Sequence, residues 1–290
     1  MSGRRARRHP ARPRGDIVVP LASLDGTSLR VEVDRRRPTA RRLLAGLLEM
    51  SYVDLADPCH LEFEYMRRVG DLIDLAWPAG EPLHAVHLGG AACTLPRYLA
   101  ATRPGSRSEV YERDDAIVAV AERELGLQRT RALRVVIGDA RELLARRANG
   151  SADLVIGDAF SGTDVPEHLL TAEFVEEVRR VLRPDGVYAL NVIDAPPLRI
   201  ARAQVATALP RFAHVALVAR PRLLHGRASG NLVLFASDRP LPERELADRA
   251  ERAPVPEELL DRAGLELFAA RARPRRDAER GVGVGGVGSE

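Results

Sequence analysis

Three acidic residues each close a short apolar run: Glu112 in Ser108-Glu-Val-Tyr-Glu112, Asp139 in Leu133-Arg-Val-Val-Ile-Gly-Asp139, and Asp158 in Asp153-Leu-Val-Ile-Gly-Asp158. A fourth run, His84-Ala-Val-His-Leu88, ends instead in Gly89-Gly-Ala-Ala-Cys-Thr94. An apolar run that ends in an acid or a glycine loop marks the carboxyl edge of a parallel strand, where open α/β sheets bind ligands. Small residues such as Gly89, Gly90 and Ala91 let backbone N–H groups approach a ligand, and the helix that follows points its positive end at it. Glu112, about twenty residues further on, can accept both ribose hydroxyls of a nucleoside. Asp139 can accept from an adenine amino group or cap the helix beginning at Arg141, and its position allows either. A turn for the tail, a carboxylate for the ribose and a polar group for the base, at successive strand ends, are what an adenosyl-sulfonium site requires. Asp158 then opens a loop rich in Ser, Gly and Thr, Asp158-Ala-Phe-Ser-Gly-Thr-Asp164, which adds a carboxylate for the chemistry.

The elements that must position these residues follow from the alternation of short runs and amphipathic segments. Strands are expected at 84–88, 108–112, 133–137, 153–157 and 186–192, with helices near 94–102, 114–125, 140–147, 171–182 and 197–208. Such alternation implies a parallel sheet with crossover helices on its faces. Residues 212–219 and 231–237 read as two further strands with no helix between them. Five parallel strands closed by an antiparallel pair make the strand inventory of a Rossmann-like, class I methyltransferase fold. Upstream, Ile17-Val-Val-Pro-Leu and Leu29-Arg-Val-Glu-Val33 flank Asp25-Gly26, a hairpin signal because glycine accepts the positive φ of such turns. Thr39 is expected to cap a helix through Leu43, Leu44, Leu47 and Leu48, and residues 50–58 to form a polar loop. A helix over residues 61–75 places Leu61, Tyr65, Arg68, Leu72 and Leu75 on one face, turning Tyr65 inward. Residues 240–268 are expected to be helical.

The expected organisation is a basic tail over residues 1–15, a hairpin and helical appendage over 16–82, and a Rossmann-like nucleoside-binding domain over 83–238. A helical segment over 239–276 and a Gly-rich tail over 277–290 complete it. The chain has 290 residues, of which 45% are hydrophobic, enough to bury a sizeable core. It contains no lysine, so all 44 basic residues are arginine, set against 41 acids for a net charge of +3. Arginines and acids alternate through most of the chain, which argues against a nucleic-acid-binding face despite the basic balance. Cys59 and Cys93 form no metal or disulfide pattern and read as buried small residues. His60, His168, His214 and His225 show no ligand spacing, whereas His84 and His87 alternate with apolar residues as core or edge positions. No run reaches the roughly 18 apolar residues of a membrane span, and a cytoplasmic protein is expected.

Between about Ser51 and Ser237 the chain resembles the spermidine synthase family of aminopropyltransferases, particularly its bacterial spermidine synthase-like branch. The resemblance is carried by Ser51-Tyr-Val-Asp-Leu-Ala-Asp-Pro58, Leu61-Glu-Phe-Glu-Tyr65, the glycine loop, Val110-Tyr-Glu-Arg-Asp114 and Gly138-Asp-Ala-Arg-Glu-Leu-Leu144. The Asp158 loop, Phe174-Val-Glu-Glu-Val-Arg-Arg-Val-Leu-Arg-Pro-Asp-Gly186 and Ser229-Gly-Asn-Leu-Val-Leu-Phe-Ala-Ser237 complete it. It implies that Gly89, Gly90, Ala91, Glu112, Arg113, Asp139, Ala140 and Asp158 hold decarboxylated S-adenosylmethionine or S-adenosylmethionine, with Glu112 on the ribose and Asp139 on the adenine side; with no ligand spacing among Cys and His, no metal is expected. It further implies that Tyr65 lines a polyamine channel, that Asp158 takes the proton of the attacking amine, and that the chain forms a homodimer. Where the family's loop carries a second acid this chain has Ser161, and Asp164 is the nearest substitute. The acid of the family's glycine loop is likewise replaced within Gly90-Ala-Ala-Cys93. Alternative readings are a methyltransferase using intact S-adenosylmethionine and an inactive nucleoside- or polyamine-binding homologue.

Overall fold

The computed structural model describes residues 17–22, 25–90, 92–162 and 164–277, the first of these by its backbone alone. Strands β1 (Ile17–Ala22), β2 (Ser28–Val33), β3 (Ala40–Ala45) and β4 (Leu48–Asp54) form an antiparallel sheet in chain order. The expected β1–β2 hairpin is present, with Gly26 at φ +81°. The helix expected from Thr39 to Leu48 is not: this stretch is the β3–β4 hairpin, and residues 50–54, expected in a loop, continue β4. Ala45 pairs with Leu48 across the two-residue turn Gly46-Leu47, and Gly46 adopts φ +59°. The leucine spacing that mimics a helical face arises from a register shift between Leu43 and Leu44, which buries both neighbours, while Leu47 is 97% exposed at the tip.

Helix α1 (Glu64–Ala76) leads into the alternating region: β5 (His84–Leu88), α2 (Thr94–Thr102), β6 (Arg107–Glu112), α3 (Asp115–Glu124), β7 (Leu133–Ile137), α4 (Ala140–Ala145), β8 (Ala152–Gly157), α5 (Ala172–Val181), β9 (Leu182–Asp194) and α6 (Arg199–Ala208). It continues with β10 (His214–Ala219), α7 (Pro221–Leu224), β11 (Gly230–Ser237), α8 (Glu243–Glu251), β12 (Glu258–Leu260) and α9 (Arg262–Ala269). The second sheet has eight strands in the order β12-β10-β11-β9-β8-β5-β6-β7. Strands β9, β8, β5, β6 and β7 run parallel, and β11 closes them antiparallel to β9 and β10. This is the Rossmann-like architecture expected. The C-terminal region departs from an all-helical reading because β12 pairs with β10 at the sheet edge between α8 and α9.

One face of the sheet packs Val86, Val155, Tyr188 and Leu217 against α4, α5, α6 and α9; the other packs Ala85, Leu154, Ile156 and Phe235 against α1, α2 and α8. The small sheet buries Leu29, Val31, Leu43 and Val53 against Ile117, Val120 and Ala121 of α3. Trp77 is buried beneath the Arg239 guanidinium, 4.7 Å from its ring centre. His87 is buried beside the Ser108 hydroxyl at 3.2 Å, whereas Cys59, expected inside, is exposed on the turn that Asp57 closes. Cys93 is buried. Among the described residues no helix is long and apolar enough to cross a membrane.

Candidate active site

The chain runs β5, β6, β7 outward in one direction and then returns to place β8 on the other side of β5. Strand order therefore reverses between β5 and β8, and the loops leaving these two strands part company above the sheet. Gly89 and Asp158 are the first residues of those loops. Asp158 N–H donates to the Leu88 carbonyl at 2.8 Å, and Gly89 N–H to that of Tyr111 at 2.8 Å. Gly89 adopts φ +83°, and a Cβ there would lie 2.4 Å from the Asp158 carbonyl oxygen. Only glycine permits this contact. A Cβ on Gly90 would meet Val110 at 2.2 Å.

Gly90 N–H donates to Glu112 Oε2 at 3.2 Å, and Asp114 N–H to Glu112 Oε1 at 3.1 Å. The Glu112 carboxylate is thus fixed beside the glycine loop by two backbone donors. Asp114 caps α3 through the N–H groups of Ala116 and Ile117. The small sheet braces the same loop: Ala92 N–H reaches Ser51 Oγ at 3.4 Å, and Thr94 donates to the Tyr52 carbonyl at 2.8 Å. Residues 51–54, a polar stretch in the sequence, are buried because they form this support.

The Asp158 carboxylate accepts from the Tyr65 hydroxyl at 3.0 Å and from the Asn191 amide at 2.8 Å. The Asn191 oxygen in turn accepts from the Asn231 amide at 3.0 Å. Burial pushes the Asp158 carboxyl up to about 6; the Asn191 and Tyr65 hydrogen bonds oppose that rise and the Glu112 charge adds to it. Burial and the adjacent Asp158 charge raise the Tyr65 hydroxyl well above its ordinary value, so it remains a donor. Tyr65 also stacks on Phe63, with ring centres 5.8 Å apart.

The structure brings together Tyr65, Gly89, Gly90, Glu112 and Asp158. Asp139 stands at the next strand end, capping α4 through the N–H groups of Arg141 and Glu142 and pairing with His168. Ala140 is buried behind it, and Arg113 is exposed. Ser161 and Asp164 are exposed and joined by backbone hydrogen bonds of 2.8 and 3.2 Å that close the turn around Gly162. Ala91 lies outside the described residues. Sequence reasoning missed Asn191, Asn231 and His168. Asn191 carries a legible signal, being the one polar residue within the buried run Val187-Tyr-Ala-Leu-Asn-Val192.

No family model matches the chain. A polyamine aminopropyltransferase from Vibrio vulnificus is 33% identical over 123 residues, covering 42% of this chain and 40% of the relative. Another from Chromobacterium violaceum is 27% identical over 142 residues, covering 49% and 53%. The chain thus spans about half the length, or less, of the curated relatives it matches. The crystal structure of a probable spermidine synthase from Corynebacterium glutamicum superposes with a TM-score of 0.81 at 29% identity, covering 94% of this chain and all of that one. Human methyltransferase-like protein 13, solved in complex with SAH, shares the fold with a TM-score of 0.51 at 20% identity, over 73% of this chain and 93% of that one.

Proposed function

We propose that the chain is a member of the spermidine synthase family and that it transfers an aminopropyl group from decarboxylated S-adenosylmethionine to an amine, with Asp158 as the base. The observation that carries this reading is the Asp158 carboxylate, raised to about 6 and oriented by Tyr65 and Asn191. It sits where the strand order reverses, in contact with the glycine loop.

The residues present fit a nucleoside. The Cβ-free approach of Gly89 to the Asp158 backbone leaves a bare main-chain turn, the fixed Glu112 carboxylate stands beside it for ribose hydroxyls, and Asp139 stands one strand further for the base. A bound sulfonium supplies an activated carbon and a neutral thioether leaving group. Asp158 does the rest of the acid–base work. An alkylammonium, with an unperturbed value of about 10.4, is protonated at neutral pH and has no lone pair to attack with. Ionised above about 6, Asp158 binds that cation; its raised value then makes it a stronger base toward the ammonium proton than an ordinary carboxylate. The N–C bond forms as the C–S bond breaks, the sulfur leaves as methylthioadenosine, and the amine proton passes to Asp158. Holding amine, carbon and sulfur in line supplies much of the acceleration. Ser161 at the second acid position leaves Asp158 as the principal anion for the acceptor.

The test is chromatographic product analysis after incubating the protein with decarboxylated S-adenosylmethionine and a panel of monoamines and diamines. Methylthioadenosine, with one amine gaining an aminopropyl group, is the expected result. Its absence from every amine, or formation of S-adenosylhomocysteine from the intact cofactor instead, contradicts the reading.

A further inference from the structure

Asp139 is held from two sides. Its Oδ1 accepts the Arg141 and Glu142 N–H groups at 2.9 and 3.2 Å, while its Oδ2 lies 2.7 Å from His168 Nε2. The backbone donors and the imidazole together outweigh burial and hold the carboxyl below its ordinary value. Asp139 is therefore ionised at neutral pH, and the short contact requires a proton on His168 Nε2. A helix cap needs only one carboxylate oxygen. The bond from His168 to the other oxygen fixes the carboxylate plane. Side-chain exposures of 29% for Asp139 and 25% for His168 leave the pair accessible, and an oxygen with one donor keeps a lone pair for a second.

His168 is itself anchored. It lies on the 3-10 turn Glu167–Leu169, and its carbonyl accepts from Arg141 Nη1 at 2.9 Å. The same guanidinium grips the Asp277 carboxylate through both terminal nitrogens. The segment carrying Asp277 is fastened across the start of α5: Ala172 N–H donates to the Arg275 carbonyl at 2.8 Å, and Asp277 N–H to Glu173 Oε2 at 3.1 Å. Arg276 also pairs with Glu173 at 3.3 Å. A run of contacts thus leads from residues 275–277 through Arg141 to His168 and on to Asp139.

We propose that His168 is a positioning residue for base recognition, turning the remaining lone pair of Asp139 Oδ2 toward the 6-amino group of a purine. The segment Arg275–Asp277 acts as a clasp that holds the His168 turn in place through Arg141. This rests on the nucleoside reading given above. At position 6 a 6-oxo purine presents a carbonyl acceptor where adenine presents an amino donor, which sets two acceptors against each other at Asp139, so the arrangement favours adenine over hypoxanthine.

The experiment is calorimetric binding of 5′-methylthioadenosine and 5′-methylthioinosine to the full chain. His168→Leu should weaken methylthioadenosine binding about tenfold, the equivalent of one oriented hydrogen bond, and change methylthioinosine binding by less than about twofold. His168→Gln, whose amide nitrogen also donates, should restore methylthioadenosine binding to within about threefold of wild type. Asp277→Asn should shift the preference in the same direction as His168→Leu, to a smaller extent. An unchanged preference in His168→Leu, or an equal loss for both nucleosides, overturns the proposal. So does unaltered methylthioadenosine binding in Asp139→Asn, which keeps the cap oxygen but presents an amide to the base. Failure of the wild-type chain to bind methylthioadenosine would instead remove the nucleoside reading itself, and the proposal with it.

Discussion

Asp158 is ionised at neutral pH against the pull of its surroundings. Burial raises it from 3.8 to about 6, and only the Tyr65 and Asn191 donors keep it from rising further. The sign of the resulting linkage is definite. A carboxyl with a higher value in the folded chain binds its proton more tightly there, so stability falls as pH rises from 3.8 to about 6 and stays low above it. Asp158→Asn removes that charge. Its stability relative to wild type should be more favourable at pH 7.5 than at pH 4 by on the order of 1 kcal/mol, after allowance for screening of a partly exposed group. Thermal melts across that range check it. A difference that does not move with pH would mean that burial does not govern this carboxyl. The same carboxylate shows how far single residues were legible. Asp158, Glu112 and Tyr65 announce themselves by type and by position at the end or on the inward face of an element. Asn191 and Asn231 do not, because an amide acquires its role from a partner 33 or more residues away in the chain.

At the scale of elements, the site depends on two loops lying in contact. Gly89 approaches the Asp158 backbone at a distance no side chain allows, and the β4 edge of the small sheet holds the following residues through Ser51 and Tyr52. Gly89→Ala should force the loops apart and strain a φ of +83°. The expected result is a loss of about 1–3 kcal/mol in denaturant unfolding and loss of methylthioadenosine binding by more than about tenfold. Wild-type affinity in that variant would show that the loop contact does not shape the site. Most strands and helices of the large sheet were legible because they are short apolar or amphipathic runs, and β5, β6, β7 and β8 end at glycine or an acid. The β3–β4 hairpin was not. Leu43, Leu44, Leu47 and Leu48 match a helical face, and only the positive φ of Gly46 and pairing with β2 reveal the strands. Tertiary pairing here overrides a local pattern that points elsewhere. The three residues of β12 carry too little pattern to separate from the helices on either side.

At the scale of the whole molecule, the parallel sheet and its reversal point bring four strand ends, the start of α1 and the β9–β11 pair to one edge. That edge was legible from the order of motifs, since a parallel strand must end on the same side as its neighbours. The docking of residues 275–277 over α4 and α5 was not, because arginine and aspartate in a polar stretch do not specify which of many partners they meet. The central claim is that this edge assembles a nucleoside site whose amine base is Asp158. The most direct measurement is the pH dependence of kcat/KM for methylthioadenosine formation from decarboxylated S-adenosylmethionine and the preferred amine, in wild type and Asp158→Asn. The wild-type profile should climb through an apparent value near 6 on its acid limb, and Asp158→Asn should lose that limb together with about 100- to 10,000-fold in rate. An Asp158→Asn enzyme that turns over at the wild-type rate with the same acid limb would contradict the account.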